Sequence, residues 1–281
     1  MGGSLIKTAR SISSITPTQL HDYLLGPKAF PLHLTGLVSS WPALTQWRLS
    51  DQLRGMRDAV GEDKSVEIEL GKKGRGYLHP DWQRVNMGFG MFLDAFIFDQ
   101  IPSAIPKSQL PSAYLAQSDL LDGSPKLAEA VPSLPHFYIG NEKSLYRRTV
   151  WIGPEKSFTP FHKDPYVGIY SQIAGIKTFH VLPPEAAQHL SPSNLARHTN
   201  TSQIPLPVSR IFSATNDIND LADLPRDILE TCQNQLKQAF ALDGACAVEL
   251  KAGESVLIPE GWWHAAEGGD GPGVGVGAWF R

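Results

Sequence analysis

Residues 158–184 read FTPFHKDPYVGIYSQIAGIKTFHVLPP, and residues 253–268 read GESVLIPEGWWHAAEG. Both consist of short apolar runs punctuated by glycine and proline, the pattern of β-strands separated by tight turns. The first stretch predicts a hairpin turning at Ala174-Gly175 and stopped by Pro183-Pro184. The second belongs to another predicted hairpin, starting at Ala245 and turning at Ala252-Gly253. YRRTVWIG (146–153) before them and GVGVGAWF (273–280) after them read as further strands. Several short strands at even spacing predict a mainly β barrel or double-sheet jelly roll, a double-stranded β-helix, over residues 145–281.

Working outward, residues 1–144 read as a helix-rich N-terminal cover with some strands. Thr16 and Gln19 form a capping box around Pro17, and Gly26-Pro27 ends that helix. Ser50 is expected to cap a second helix whose Leu53, Met56 and Val60 share a face. SVEIEL (65–70) alternates as a strand, and residues 88–98 suit a third helix. An insertion interrupts the barrel at about residues 185–244, with a helix through Ile228, Cys232, Leu236 and Phe240. No flexible linker divides the 281 residues, so one integrated domain is expected over residues 1–281.

Hydrophobic residues make up 42% of the chain and charged residues 19%, enough apolar surface for a sizeable core. The net charge of -3 supplies no global basic field to recruit nucleic acid or an anionic membrane. No run of eighteen apolar residues exists for a transmembrane helix, and residues 1–17 lack a signal-peptide core. Two cysteines are too few for a disulfide scaffold; an intracellular location, cytoplasmic or nuclear, is the expectation.

Within this frame three residues stand out: His162 and Asp164 at the start of a predicted barrel strand, and His264 at the end of a later one. Two imidazoles and one carboxylate in that order are the ligand set of a facial triad, which leaves coordination positions open. Nitrogen and oxygen ligands without thiolates suit Fe(II), although ligand type alone leaves Mn, Co and Ni open. Lys177 lies fifteen positions after His162, in alternation with Phe179 and Val181. If those two face the core, so does Lys177, and a buried ammonium requires an anion. In the functional reading that anion is the distal carboxylate of 2-oxoglutarate, with Thr159 and Tyr114 as the expected hydroxyl donors. The alternative is a strand-edge lysine that snorkels to water.

The two quoted blocks resemble those of JmjC-domain oxygenases, in particular the small hydroxylase-type branch, and the resemblance covers nearly the whole chain. Thr35-Gly36, Trp41-Pro42-Ala43 and Trp47 resemble the block that opens these enzymes. The resemblance implies a cupin-like JmjC barrel using Fe(II), 2-oxoglutarate and O2. SAYLAQS (112–118) is similar to an arginyl-hydroxylase subfamily segment, implying a cosubstrate-binding Tyr114 and a substrate-contacting Gln117. VEIELGKKGRGYLHPDW (66–82) implies Glu69, Tyr77 and Trp82 in a substrate pocket, and Trp151 and Trp279 match tryptophans near the metal mouth. A carboxylate within aromatic walls suits a guanidinium, so a protein or peptide arginine is the leading substrate. The bland alternative makes the tryptophans core filler and Glu69 a solvated strand residue. Demethylation of N-methyl-lysine or N-methyl-arginine, small-molecule hydroxylation and a non-catalytic binding module are the other readings. Two features depart from the pattern: Gly168 stands where relatives carry asparagine, and the loop holding Lys72, Lys73 and Arg75 is longer.

Overall fold

A computed structural model describes residues 6–106, 109–139, 144–194, 198–213 and 225–281. Parts of the expected cover and of the 185–244 insertion therefore lie outside the described residues. The described strands, numbered in chain order, form two sheets. The larger has the order β1 (Arg10–Ile12), β2 (Leu32–Leu34), β11 (Ser255–Ile258), β8 (Val167–Ala174), β13 (Gly273–Phe280), β6 (Leu145–Gly153), β5 (Ser112–Ser118), β3 (Ser65–Gly71), β4 (Gln83–Gly88). The smaller has the order β10 (Cys246–Leu250), β9 (Lys177–Leu182), β12 (Trp263–Gly268), β7 (Phe158–Lys163). From β6 onward the chain crosses between the sheets at nearly every turn, which is the jelly roll expected from the strand spacing.

The two predicted hairpins are corners instead. β8 and β9 lie in different sheets, as do β10 and β11, so neither pair forms a ladder with itself. The turns fall where expected: Gly175 and Gly253 have φ of 75° and 92°. At Gly175 an added Cβ would also overlap the carbonyl of Pro272. Glycine marks the sharp reversal in both cases, and a local turn signal says nothing about which sheet the next strand joins.

The described part of the N-terminal region is helix-rich with some strands, as expected, and those strands extend the large sheet. β1 and β2 continue one edge of the large sheet, and β3, β4 and β5 continue the other. Helices Pro17–Leu25, Arg54–Val60 and Phe89–Phe92 bury Leu20, Met56, Phe89 and Phe92 in the same core as Val274, Val276 and Phe280 of β13. The Thr16–Gln19 capping box forms as predicted. Ser50 does not cap the second helix: Gln52 and Leu53 both take left-handed backbone, so a 3-10 turn at Leu49–Asp51 ends before Arg54–Val60 begins.

The outer face of the small sheet is covered by the insertion. Helix Arg226–Phe240 buries Cys232, Leu236 and Phe240 against Leu182, Trp263 and Ala265; Ile228, expected on the same stripe, is 42% exposed at the helix's first turn. The insertion is fastened by Glu267 of β12. Its buried carboxylate accepts from the backbone N–H of Val208 at 2.6 Å and Ser209 at 3.3 Å, and lies 3.2 Å from Nε2 of His180. Burial opposes its ionisation, but hydrogen bonds from His180 and Ser209 outweigh burial and hold the carboxyl below its ordinary value of 4.5. Such a carboxylate stabilises the fold above its unfolded pKa, and that contribution is lost as pH falls through the lower folded value. In thermal melts across acidic pH, wild type should therefore lose stability more steeply below pH 4.5 than Glu267→Gln. Parallel acid limbs would remove Glu267 from this role.

Candidate metal centre and its cavity

β7 and β12 are antiparallel neighbours in which His162 stands directly opposite His264. The ladder shifts register beside them, with Thr159 opposite Ala266, so three steps along β7 match two along β12. The extra residue lets Thr159 and His162 face the same cavity despite their odd spacing. Pro160 sits in this shifted stretch, where a missing ladder donor costs little. The expected places in the strands are reversed: His162 lies near the end of β7, and His264 near the beginning of β12. Asp164 follows β7, its carbonyl accepting from Gly261 N at 3.1 Å, which ties together the two ligand-bearing turns.

The three ligand groups converge. One potential ligand atom from each of His162, Asp164 and His264 lies within 4.8 Å of the others. The imidazole centroids are 4.2 Å apart, and His264 Nε2 is 3.8 Å from Asp164 Oδ2. Both Nδ1 atoms face backbone carbonyls, His162 that of Pro160 at 2.9 Å and His264 that of Trp262 at 3.2 Å. With Nδ1–H donating there, each Nε2 keeps a lone pair for a cation. Burial and the neighbouring His162 pull His264 down to about 4. Burial alone would raise the Asp164 carboxyl, but His162 and His264 hold it below the usual range. Neutral imidazole and ionised carboxylate are the forms that bind a divalent metal. The donor set therefore fits Fe(II).

The same cavity, about 550 Å³ with its opening to solvent, is lined by Lys177, Tyr114 and Thr159. Lys177 begins β9 and is only 6% exposed. Its Nζ donates to Tyr114 Oη at 2.6 Å and lies over the rings of Tyr114, Tyr170 and Trp151 at 5.0, 5.3 and 6.0 Å. Tyr114 also hydrogen-bonds Thr159, and burial raises its phenol well above the ordinary range, so it remains a neutral donor. Burial pushes Lys177 down to about 7. Aromatic faces and a phenol replace only part of an ammonium's hydration, which leaves a receptor for a carboxylate.

The expected substrate residues divide. Glu69, Tyr77 and Trp82 line a second cavity of about 380 Å³, together with Lys72 and Arg75 of the basic loop. Tyr114 belongs to both cavities. Burial raises the Glu69 carboxyl above its usual range against the pull of Arg84, whose Nη2 is 3.7 Å away. Tyr77 Oη is 3.0 Å from Thr201 Oγ1, and Thr201 bridges to His162, so this loop leans on the metal centre through the insertion. Trp151 and Trp279 line the first cavity. Gln117 joins neither: it is exposed, with φ of 50° in a register shift of β5, and its carbonyl accepts from Arg147.

Sequence reasoning missed Tyr170 as a wall residue, although it alternates with Gly168 along β8. It also missed what Trp279 touches: Nε1 donates to Asp164 Oδ2 at 2.8 Å, fixing the orientation of a ligand. Gly168 lines the cavity, and a Cβ there would come no nearer than 3.8 Å to Trp279 Nε1, so the glycine leaves open a volume the backbone would allow a side chain to enter.

A family described as cupin-like domain matches residues 18–281. Lysine-specific demethylase JMJ30 of Arabidopsis thaliana is 28% identical over 87% of this chain and 48% of its own length. Lysine-specific demethylase 8 of Xenopus tropicalis is 26% identical over 86% and 46%. HSPB1-associated protein 1 of Homo sapiens is 31% identical over 47% and 23%. The chain thus spans about half the length, or less, of these curated relatives.

Proposed function

This chain belongs to the cupin-like domain family, and from that footing we propose that it is an Fe(II)- and 2-oxoglutarate-dependent JmjC oxygenase acting on a protein side chain. The observation that carries the reading is one cavity lined by both a His-Asp-His cluster and a buried ammonium. In this reading His162, Asp164 and His264 hold the iron, and Lys177, Tyr114 and Thr159 hold the distal carboxylate of 2-oxoglutarate. Fe(II) with 2-oxoglutarate and O2 supplies the oxidation, in which one oxygen atom enters a substrate C–H bond and the other enters succinate as CO2 leaves. The chain's own task is positional. Trp279 holds Asp164, Tyr114 holds Lys177, and Trp151, Tyr170 and Trp262 keep water from the space between. Succinate formed from 2-oxoglutarate only when Fe(II) is present is the expected result; none above background would remove the proposal.

Arginine is the leading target. Glu69 offers a carboxylate within walls that include Tyr77 and Trp82, a setting that suits a weakly hydrated planar cation. Glu69→Ala should then impair hydroxylation of an arginyl peptide by on the order of tenfold or more, while uncoupled 2-oxoglutarate decay changes little. Product mass and succinate, measured side by side, separate the two; equal losses would remove Glu69 from substrate binding. The names of two relatives favour a second reading, N-methyl-lysine demethylation. Hydroxylation of an N-methyl group releases formaldehyde, so a formaldehyde assay on methylated and unmethylated peptides distinguishes them. An intracellular location belongs to the same proposal and is supported by Cys232 and Cys246 both being free and buried.

A further inference from the structure

Three rings in the wall of the first cavity occupy space that a side chain on their own or a neighbouring strand would fill. On β13, period-two alternation puts Val274, Val276, Ala278 and Phe280 into the main core. Gly275, Gly277 and Trp279 alternate with them on the other face. A Cβ on Gly277 would overlap the Trp279 ring, meeting Cζ3 at 2.7 Å and Cζ2 at 3.2 Å as well as Cη2. A Cβ on Gly275 would overlap the hydroxyl end of Tyr170, with Cε1 at 2.8 Å. On β6, a Cβ on Gly153 would meet Tyr114 Cε2 at 2.8 Å and Cδ2 at 2.9 Å.

Backbone freedom does not explain these glycines, because none of the three has positive φ. Glycine in a strand interior costs stability and leaves nothing to pack, so its use here asks for a reason in what approaches it. What approaches is in each case a ring bearing on the site. Trp279 donates to Asp164. Tyr114 accepts from Lys177, and Tyr170 lies with its ring 5.3 Å from the same ammonium.

We propose that Gly153, Gly275 and Gly277 are positioning residues whose missing side chains seat Tyr114, Tyr170 and Trp279, and thereby aim Asp164 and Lys177 into the cavity. The inference rests on the metal-site reading and concerns this chain's own residues. A methyl group at Gly277 displaces the indole, the indole leaves Asp164, and the carboxylate loses the contact that orients it. Partners of a metal ligand typically contribute about ten- to a hundredfold in metal affinity.

The test is Mn(II) binding to metal-stripped protein, measured by calorimetry, so that no turnover is needed. Gly277→Ala should bind Mn(II) about ten- to a hundredfold more weakly than wild type, and Trp279→Phe should match it. The double variant should be no worse than Trp279→Phe alone, because the smaller ring vacates the space the methyl needs. Gly271→Ala, whose Cβ would meet nothing within 4 Å, should bind as wild type does. Wild-type affinity in Gly277→Ala, or losses that multiply in the double variant, would overturn the proposal. If Gly277→Ala does not fold, the double variant must recover near-UV circular dichroism, and one that stays unfolded overturns it too. A wild-type protein that binds no Mn(II) removes the metal reading and this inference with it, whereas tight wild-type binding with unaffected variants removes the inference alone.

Discussion

Asp164→Ala should reduce Fe(II)-dependent succinate formation to background while the protein stays folded. Asp164 is the anionic member of the cluster, and its ionised form is favoured by both imidazoles. Without it, two imidazole rings remain at the cavity wall, and a divalent cation loses its charge partner and one coordination position. The fold should tolerate the change because Asp164 follows the last residue of β7 rather than standing within a ladder. The contributions removed with it also oppose one another, burial disfavouring its charge while the two imidazoles and the Trp279 hydrogen bond favour it. The melting temperature should therefore move by no more than about 4 °C, while turnover vanishes. Asp164→Asn keeps an acceptor for Trp279 Nε1 but not the charge, so it separates ligand charge from ligand orientation. Full turnover in Asp164→Ala would refute the triad.

Lys177→Ala should raise the 2-oxoglutarate concentration needed for half-maximal turnover steeply. Removing one partner of a buried, hydrogen-bonded charge pair costs roughly 2–5 kcal/mol, on the order of thirtyfold or more in affinity. Lys177→Met should show the same loss without leaving a cavity. In the absence of cosubstrate, Lys177→Met should be at least as stable as wild type near neutral pH, because the ammonium it replaces is desolvated among aromatic rings. The pH dependence gives an independent check. Lys177 falls from 10.5 to about 7 on folding, so its burial destabilises the fold fully below about 7. That penalty is relieved as pH rises from about 7 toward 10.5, and the stability gap between Lys177→Met and wild type should narrow across that window. Over the same range 2-oxoglutarate affinity should fall in wild type, which must take up a proton to bind a dianion, and stay flat in Lys177→Met. A pH-independent wild-type affinity would take Lys177 out of the cosubstrate site.

Much of the site was legible because its residues sit in strands, where direction follows from parity. Lys177 was expected inward because Phe179 and Val181 are apolar, and all three line the inner face of β9. The capping box at Thr16 was legible because it is a local contact between residues three apart. Features that broke parity were not legible. Thr159 and His162 share a cavity only through the register shift in β7, and Gln117 turns outward at the shift in β5. A register shift depends on how the partner strand lies, and the partner is distant in the chain. The corners at Gly175 and Gly253 were placed correctly as turns and wrongly as hairpins for the same reason.

What the amino-acid order determined by itself is the periodicity of each strand, the place of each reversal, and the identity of three ligand-type residues together with a lysine obliged to find an anion. These follow from backbone geometry and side-chain chemistry, which act within a few residues. Only the tertiary structure decided that His162 and His264 face one another, that Trp279 grips Asp164, and that Glu69 and Tyr77 share a second cavity across the wall made by Tyr114. Those relations arise between strands that are neighbours in a sheet and remote along the chain. No local rule carries the register that brings them together.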